Sequence, residues 1–235
     1  MLPYADIWKN IEDVHKHFKL EFNTKSSYDS EDDEVLRHVA GLQEEFTFLT
    51  LEYIQKLVEI MDEYEGIDFT FRYKDPVSMM AKMKNQTMSK PLNKVLNDAL
   101  GLRFIINCDT DRLRHIALKL EDAYPIESGI CRVVDQTEGK RNDDGYKGIH
   151  IYSKFDNNTF PIEIQLWTRV HALLNEYLHD NIYKTGHANG ELDEHALELR
   201  NWLEDVPVLP DDFEVKSYVD FLYERKNARE GDRDE

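Results

Sequence analysis

Asn97-Asp98-Ala99-Leu100-Gly101-Leu102-Arg103-Phe104-Ile105-Ile106 is the stretch on which the fold turns. Its second half, Leu102 to Ile106, is a short apolar run carrying one cation, the signature of a strand buried inside a sheet. Gly101 beside it lets a ligand approach the backbone closely. Asp98 stands just before the strand, which reads as the central one. A carboxylate there suits two roles, a turn or helix cap and a ligand for the Mg²⁺ of a nucleotide.

Working outward, apolar periodicity and turn residues predict helices over 6–22 and from about 33 to 64, the second ended near Gly66. A strand over 69–73 and a helix from Pro76 to about Gln86 precede the central strand, and a helix over 111–124 follows it. Strands are expected at 130–134, 149–155 and 160–166, then helices at 168–184, 191–205 and 212–227. The order defines an α/β (α+β) domain, a mixed five-strand sheet flanked by N- and C-terminal helices. It divides into a helical extension (1–66), a core (67–190), and C-terminal helices with a frayed tail (191–235).

Composition narrows the function. The chain has 235 residues, 41% of them hydrophobic, enough for a core. No run approaches the length of a membrane span, the first residues lack a signal-peptide layout, and Cys108 and Cys131 make no disulfide framework or zinc spacing. A cytoplasmic location is expected, with no membrane partner. Net charge is −18, yet residues 70–155 hold 15 Lys/Arg against 11 Asp/Glu, while the remainder holds 14 against 36. Positive charge is gathered where an anionic ligand would bind.

The densest part is Arg72-Tyr73-Lys74-Asp75-Pro76-Val77-Ser78-Met79-Met80-Ala81-Lys82. Arg72 and Lys74 share a face of a strand. Asp75-Pro76 reads as N-cap and first helical residue, and Ser78 and Lys82 lie four apart on one helix face. Polar groups converging on a helix N-terminus make a pocket for a polyphosphate.

Three further places carry chemistry. In Pro161-Ile162-Glu163-Ile164-Gln165-Leu166, Glu163 and Gln165 share the face opposite the apolar residues, either a site or the solvent side of an edge strand. In Gly145-Tyr146-Lys147-Gly148-Ile149-His150, Tyr146 and His150 share a strand face, suited to stacking on a base or to packing. A helix with His171, Glu176 and His179 leads to Tyr183-Lys184.

Taken together and in order, these segments resemble the synthetase domain of the RelA/SpoT homologue family in its small single-domain form. The family's R-x-K-x-x-x-S-x-x-x-K stands here as Arg72, Lys74, Ser78 and Lys82, and D-x-x-G-x-R as Asp98, Gly101 and Arg103. G-Y-x-x-x-H stands as Gly145, Tyr146 and His150, and E-x-Q as Glu163 and Gln165. The resemblance spans about residues 70–185 and implies a nucleotidyltransferase-like fold. It implies ATP-dependent transfer of pyrophosphate to a ribose 3′-hydroxyl. Arg72, Lys74, Ser78 and Lys82 would hold the triphosphate, with Arg103 joining Arg72 around the adenine. Asp98 would bind Mg²⁺, and Glu163 would be a second metal ligand or the general base. Tyr146 would stack on the acceptor base, supported by His150, Gln165 and Lys147.

The family's E-x-Q-x-R-T carries Trp167 here in place of arginine, which opens the identity of the acceptor. GDP or GTP, giving (p)ppGpp, is the first expectation. The alternative is the 3′ end of tRNA, as in toxins of this kind paired with an antitoxin, with Lys140, Arg141, Lys147, Arg112 and Arg114 as the local basic patch. The first 69 residues have no His-Asp pair of a hydrolase half, and no regulatory C-terminal region is expected. The stripe Phe213, Val215, Tyr218, Val219 and Leu222 suits internal packing or contact with an oligomer or antitoxin partner.

Overall fold

A computed structural model describes residues 2–86, 90–127, 129–139 and 146–178. The helices predicted at 191–205 and 212–227, with Lys140, Arg141, Gly145, His179, Tyr183 and Lys184, lie outside the described residues. The elements in chain order are α1 (Tyr4–His17), α2 (Asp33–Met61), β1 (Ile67–Tyr73), α3 (Pro76–Lys84), α4 (Leu92–Val95), β2 (Leu100–Ile106), α5 (Thr110–Asp122), β3 (Ile130–Asp135), β4 (Ile149–Lys154), β5 (Ile162–Thr168) and α6 (Arg169–Leu178).

The strands form one mixed sheet in the order β1-β2-β5-β4-β3. β2 and β5 run parallel, and the other pairs are antiparallel. Two expectations change here. β5, not β2, is the central strand, so Glu163 lies in the middle of the sheet and not on an edge. The helix predicted over 6–22 stops at His17, where Phe18 turns extended (φ −134°, ψ 123°). Phe18 still serves the core from outside the helix, packing on Phe46 and Phe160.

Alternation along the strands separates two chemistries. On one face Phe71, Leu102, Ile164, Ile151 and Val133 stand in register across all five strands. Leu102, Ile164 and Ile151 belong to the core cluster shared with α1, α2 and α5, and Phe71 and Val133 pack against it. On the opposite face one row reads Arg72, Gly101, Glu163, Tyr152, Arg132 and the next reads Thr70, Arg103, Gln165, His150, Val134. The side-chain period of two turns most apolar residues of the strands to the helices and most polar ones to the site.

Caps fix the ends that matter. Asp75 accepts from the Ser78 amide at 2.8 Å at the start of α3, with Pro76 at the first position. Asp32 does the same for α2, accepting from Glu34 and Val35. The carbonyl of Ala99, just before β2, accepts from both the Lys74 amide (3.0 Å) and Gln43 Nε2 of α2 (2.8 Å). Gln43 is buried, so this bond pins the turn that carries Asp98 to the long helix.

Candidate active site

Asp98 lies in the turn between α4 and β2, and its side chain bonds to two lysines. Its two oxygens accept from Lys74 Nζ at 2.9 Å and Lys82 Nζ at 2.8 Å, and Lys82 also reaches Asn97 Oδ1 at 3.0 Å. Burial pushes the Asp98 carboxyl up, but the hydrogen bonds and charges of Lys82 and Lys74 outweigh it and hold the group below its ordinary value. The lysines expected on a triphosphate therefore close on the carboxylate expected on its metal. Ser78, three residues into α3, bonds to Asp75 and is exposed, as is Arg72 on β1. A Cβ added at Gly101 would meet only the Arg72 carbonyl oxygen, at 3.8 Å, leaving an open floor between Arg72 and Glu163.

Glu163 is the centre of a second cluster. Its Oε1 is 2.9 Å from His150 Nδ1, its Oε2 accepts from Gln165 Nε2 at 2.9 Å, and the Tyr152 hydroxyl also bonds to it. A carboxylate can only accept, so Nδ1 of His150 carries the proton in this contact. Burial raises the Glu163 carboxyl; the hydrogen bond and charge of His150 and the hydrogen bond of Tyr152 bring it back below the ordinary value, while the charge of Asp98 opposes them. The two carboxylates thus feel each other, although they stand on different elements.

Gln165 carries the chain of contacts onward, accepting from Arg103 Nε at 3.0 Å. The Arg103 guanidinium lies over the Trp167 ring at 3.8 Å, and Trp167 Nε1 donates to the Tyr146 hydroxyl at 2.9 Å. The Tyr146 ring is 5.3 Å from His150, which stacks on Tyr152. Lys147 is buried, and Asn175 of α6 clamps its backbone, accepting from the amide at 3.1 Å and donating to the carbonyl at 2.7 Å.

Asp98, Glu163, Arg72, Lys74, Lys82, Arg103, Tyr146, His150 and Gln165 thus fall on the polar face or at its β2 end. Arg112 and Arg114 do not join them. Both lie on α5, which packs through Leu113, Ile116, Ala117 and Leu120 onto the apolar face. Arg114 is also committed to Asp111, Asp135 and Glu138. Sequence reasoning missed Gln43, Tyr152 and Asn175. Tyr152 carried a signal, its even spacing from His150; Asn175 had a weaker one, four residues from His171 on one helix face.

Among the described residues no group of three or more His, Cys, Asp or Glu is arranged to hold a metal ion. A pair of mutually repelling carboxylates nonetheless fits Mg²⁺, which takes one or two protein carboxylates and completes its shell with phosphate and water. No helix among the described residues is long and apolar enough to cross a membrane.

A sequence profile of the region found in RelA/SpoT proteins matches residues 71–188, about half of the chain, and the chain belongs to that family. Among solved structures it is similar to the small alarmone synthetase 1 from Bacillus subtilis, with 18% identity, a TM-score of 0.52, and coverage of 73% of this chain and 92% of that one. The small alarmone synthetase 2 of the same organism gives 17% identity and a TM-score of 0.51, over 72% of this chain and 91% of that one. At these identities the likeness is one of fold. Comparison with curated protein sequences gave no match.

Proposed function

We propose that the chain is an ATP-dependent pyrophosphotransferase acting on the 3′-hydroxyl of GDP or GTP. The observation that carries this reading is the closure of Lys74 and Lys82 on Asp98, at the same end of the parallel β2–β5 pair as Glu163. That arrangement supplies what phosphoryl-type transfer needs: cations for the phosphates, carboxylates for a metal, and fixed positions. The acceptor oxygen would attack the β-phosphorus, the bond from that phosphorus to the α,β-bridging oxygen would break, and AMP would leave.

Lys74, Lys82 and Arg72 would bind the phosphates, with Ser78 at the α3 N-terminus and Arg103 beside the adenine. Asp98 and Glu163 would hold Mg²⁺, which neutralises phosphate charge when bound. Alternatively, Glu163 would take the hydroxyl proton. Tyr146, His150, Gln165 and Lys147 would form the acceptor side. The likeness to family members known as alarmone synthetases supports a guanosine acceptor.

The test is incubation with β- or γ-labelled ATP and either GDP/GTP or deacylated tRNA. Label in the guanosine nucleotide is expected. Label in tRNA alone would overturn the acceptor and favour the toxin reading, in which an antitoxin partner follows; label in neither would overturn the reaction.

A further inference from the structure

Trp167 occupies the motif position where the family carries arginine, and its surroundings show a built contact on each side. It is on β5, in the row of the polar face that follows Gln165, and only 3% exposed. The Arg103 guanidinium lies flat over its ring at 3.8 Å, a cation–π contact. Its indole N–H donates to the Tyr146 hydroxyl at 2.9 Å, and the two rings meet edge-on at 72°. A separate observation points the same way. A Cβ at residue 148 would fall 2.7 Å from Trp167 Cδ1 and 2.8 Å from Nε1, so Gly148 is what lets the indole into this position.

An indole suits this place as no other side chain does. It offers a flat π face to one cation and a single N–H to one hydroxyl. Arginine could also donate to the hydroxyl, but it would set a second cation against Arg103 in place of an electron-rich ring face. Arg103 is held on a second side by Gln165, so ring and amide together fix the guanidinium plane. Tyr146 leads into β4, and the Trp167 bond fixes where its hydroxyl, and hence its ring, stands against His150.

We propose that Trp167 is a positioning residue that ties the donor side of the site to the acceptor side, with its ring face holding Arg103 and its N–H holding Tyr146. The inference rests on the proposed placement of ATP at Arg103 and of the acceptor at Tyr146. It divides Trp167 into two separable functions.

Trp167→Phe keeps the ring face and deletes the N–H. Trp167→Leu deletes both. For the first, the KM of the acceptor nucleotide should rise about fivefold, the size of one lost hydrogen bond, with the KM for ATP unchanged within about twofold. For the second, both should rise. Tyr146→Phe removes the other partner of the same bond, so combining it with Trp167→Phe should cost the acceptor no more than either change alone. That pair carries the test if the leucine variant does not fold.

Equilibrium binding of α,β-methylene-ATP is measured alongside and needs no turnover. Its affinity should fall in Trp167→Leu and hold in Trp167→Phe. If the parent chain transfers pyrophosphate to no acceptor, the reaction is overturned, and the analogue still tests the Arg103 half. Equal losses for donor and acceptor in Trp167→Phe, or no loss in either variant, would overturn the tie.

Discussion

The two carboxylates of the site are held in opposite ways. Asp98 is gripped by ions: two ammonium groups, each on a flexible stem, from a strand end and a helix. Lys82 remains one-third exposed. Glu163 is held by dipoles on the sheet itself, with His150, Gln165 and Tyr152 packed around it and only 11% of its side chain exposed. The first arrangement rearranges at smaller cost, because Lys82, on losing its partner, can turn to water, though Lys74 is only 12% exposed. The second does not, because the buried His150 and the half-buried Gln165 and Tyr152 have no other acceptor so well placed. One carboxylate is built to exchange partners, and the other to stay.

The largest expected effect leaves that difference untouched. Asp98→Ala and Glu163→Ala should each lower kcat by about a thousandfold or more, as loss of several kcal/mol of charge stabilisation requires. A purified variant of either kind that retained turnover would remove the residue from the mechanism. Stability separates the two. Glu163→Ala should cost about 2–4 kcal/mol, because buried donors are left without an acceptor. Asp98→Ala should cost less, about 1–2 kcal/mol, since Lys82 can turn to solvent and only Lys74 is left with a largely buried charge. Urea titration of both proteins checks the order, and a larger loss for Asp98→Ala would reverse the comparison.

A further effect is read in acid. Burial first, then the charge of Lys19, pushes His15 down from 6.5 to about 3, so it is neutral inside the fold. A depressed histidine contributes stability that is full above 6.5 and is lost as pH falls toward 3. Asp98 and Glu163 are also depressed, but their contributions are full above the ordinary carboxylate range, near pH ~4, and are lost only below it. Stability should therefore fall in two stages. His15→Phe should remove the first, and Asp98→Ala or Glu163→Ala should weaken the second alone. A stability curve from pH 7 to 3 that is identical for His15→Phe and the parent would show that His15 does not titrate on unfolding.

Much of this was legible before any coordinates. Asp75-Pro76 announces the start of α3 by local chemistry, and the parity of Glu163 with Gln165 announces a polar face. What is local or periodic survives translation into structure. The centrality of β5 was not legible, because strand order is set by the parallel pairing of β2 with a strand some sixty residues later. Gln43 on the Ala99 carbonyl and Asn175 on the Lys147 backbone were hidden for the same reason, since both are contacts across long sequence separations. Trp167 was visible as a departure from the family motif. Its two-sided hold depends on Gly148 and Arg103 arriving from other strands.

The grip of Lys74 and Lys82 on Asp98 has a consequence for the order of events. A triphosphate that draws both ammonium groups to itself strips the carboxylate of its counter-charge, and a divalent ion arriving alone must compete with two cations already in place. Each newcomer relieves the electroneutrality problem the other creates. If the proposed function holds, nucleotide and metal would then bind with positive cooperativity, by the same factor in either direction.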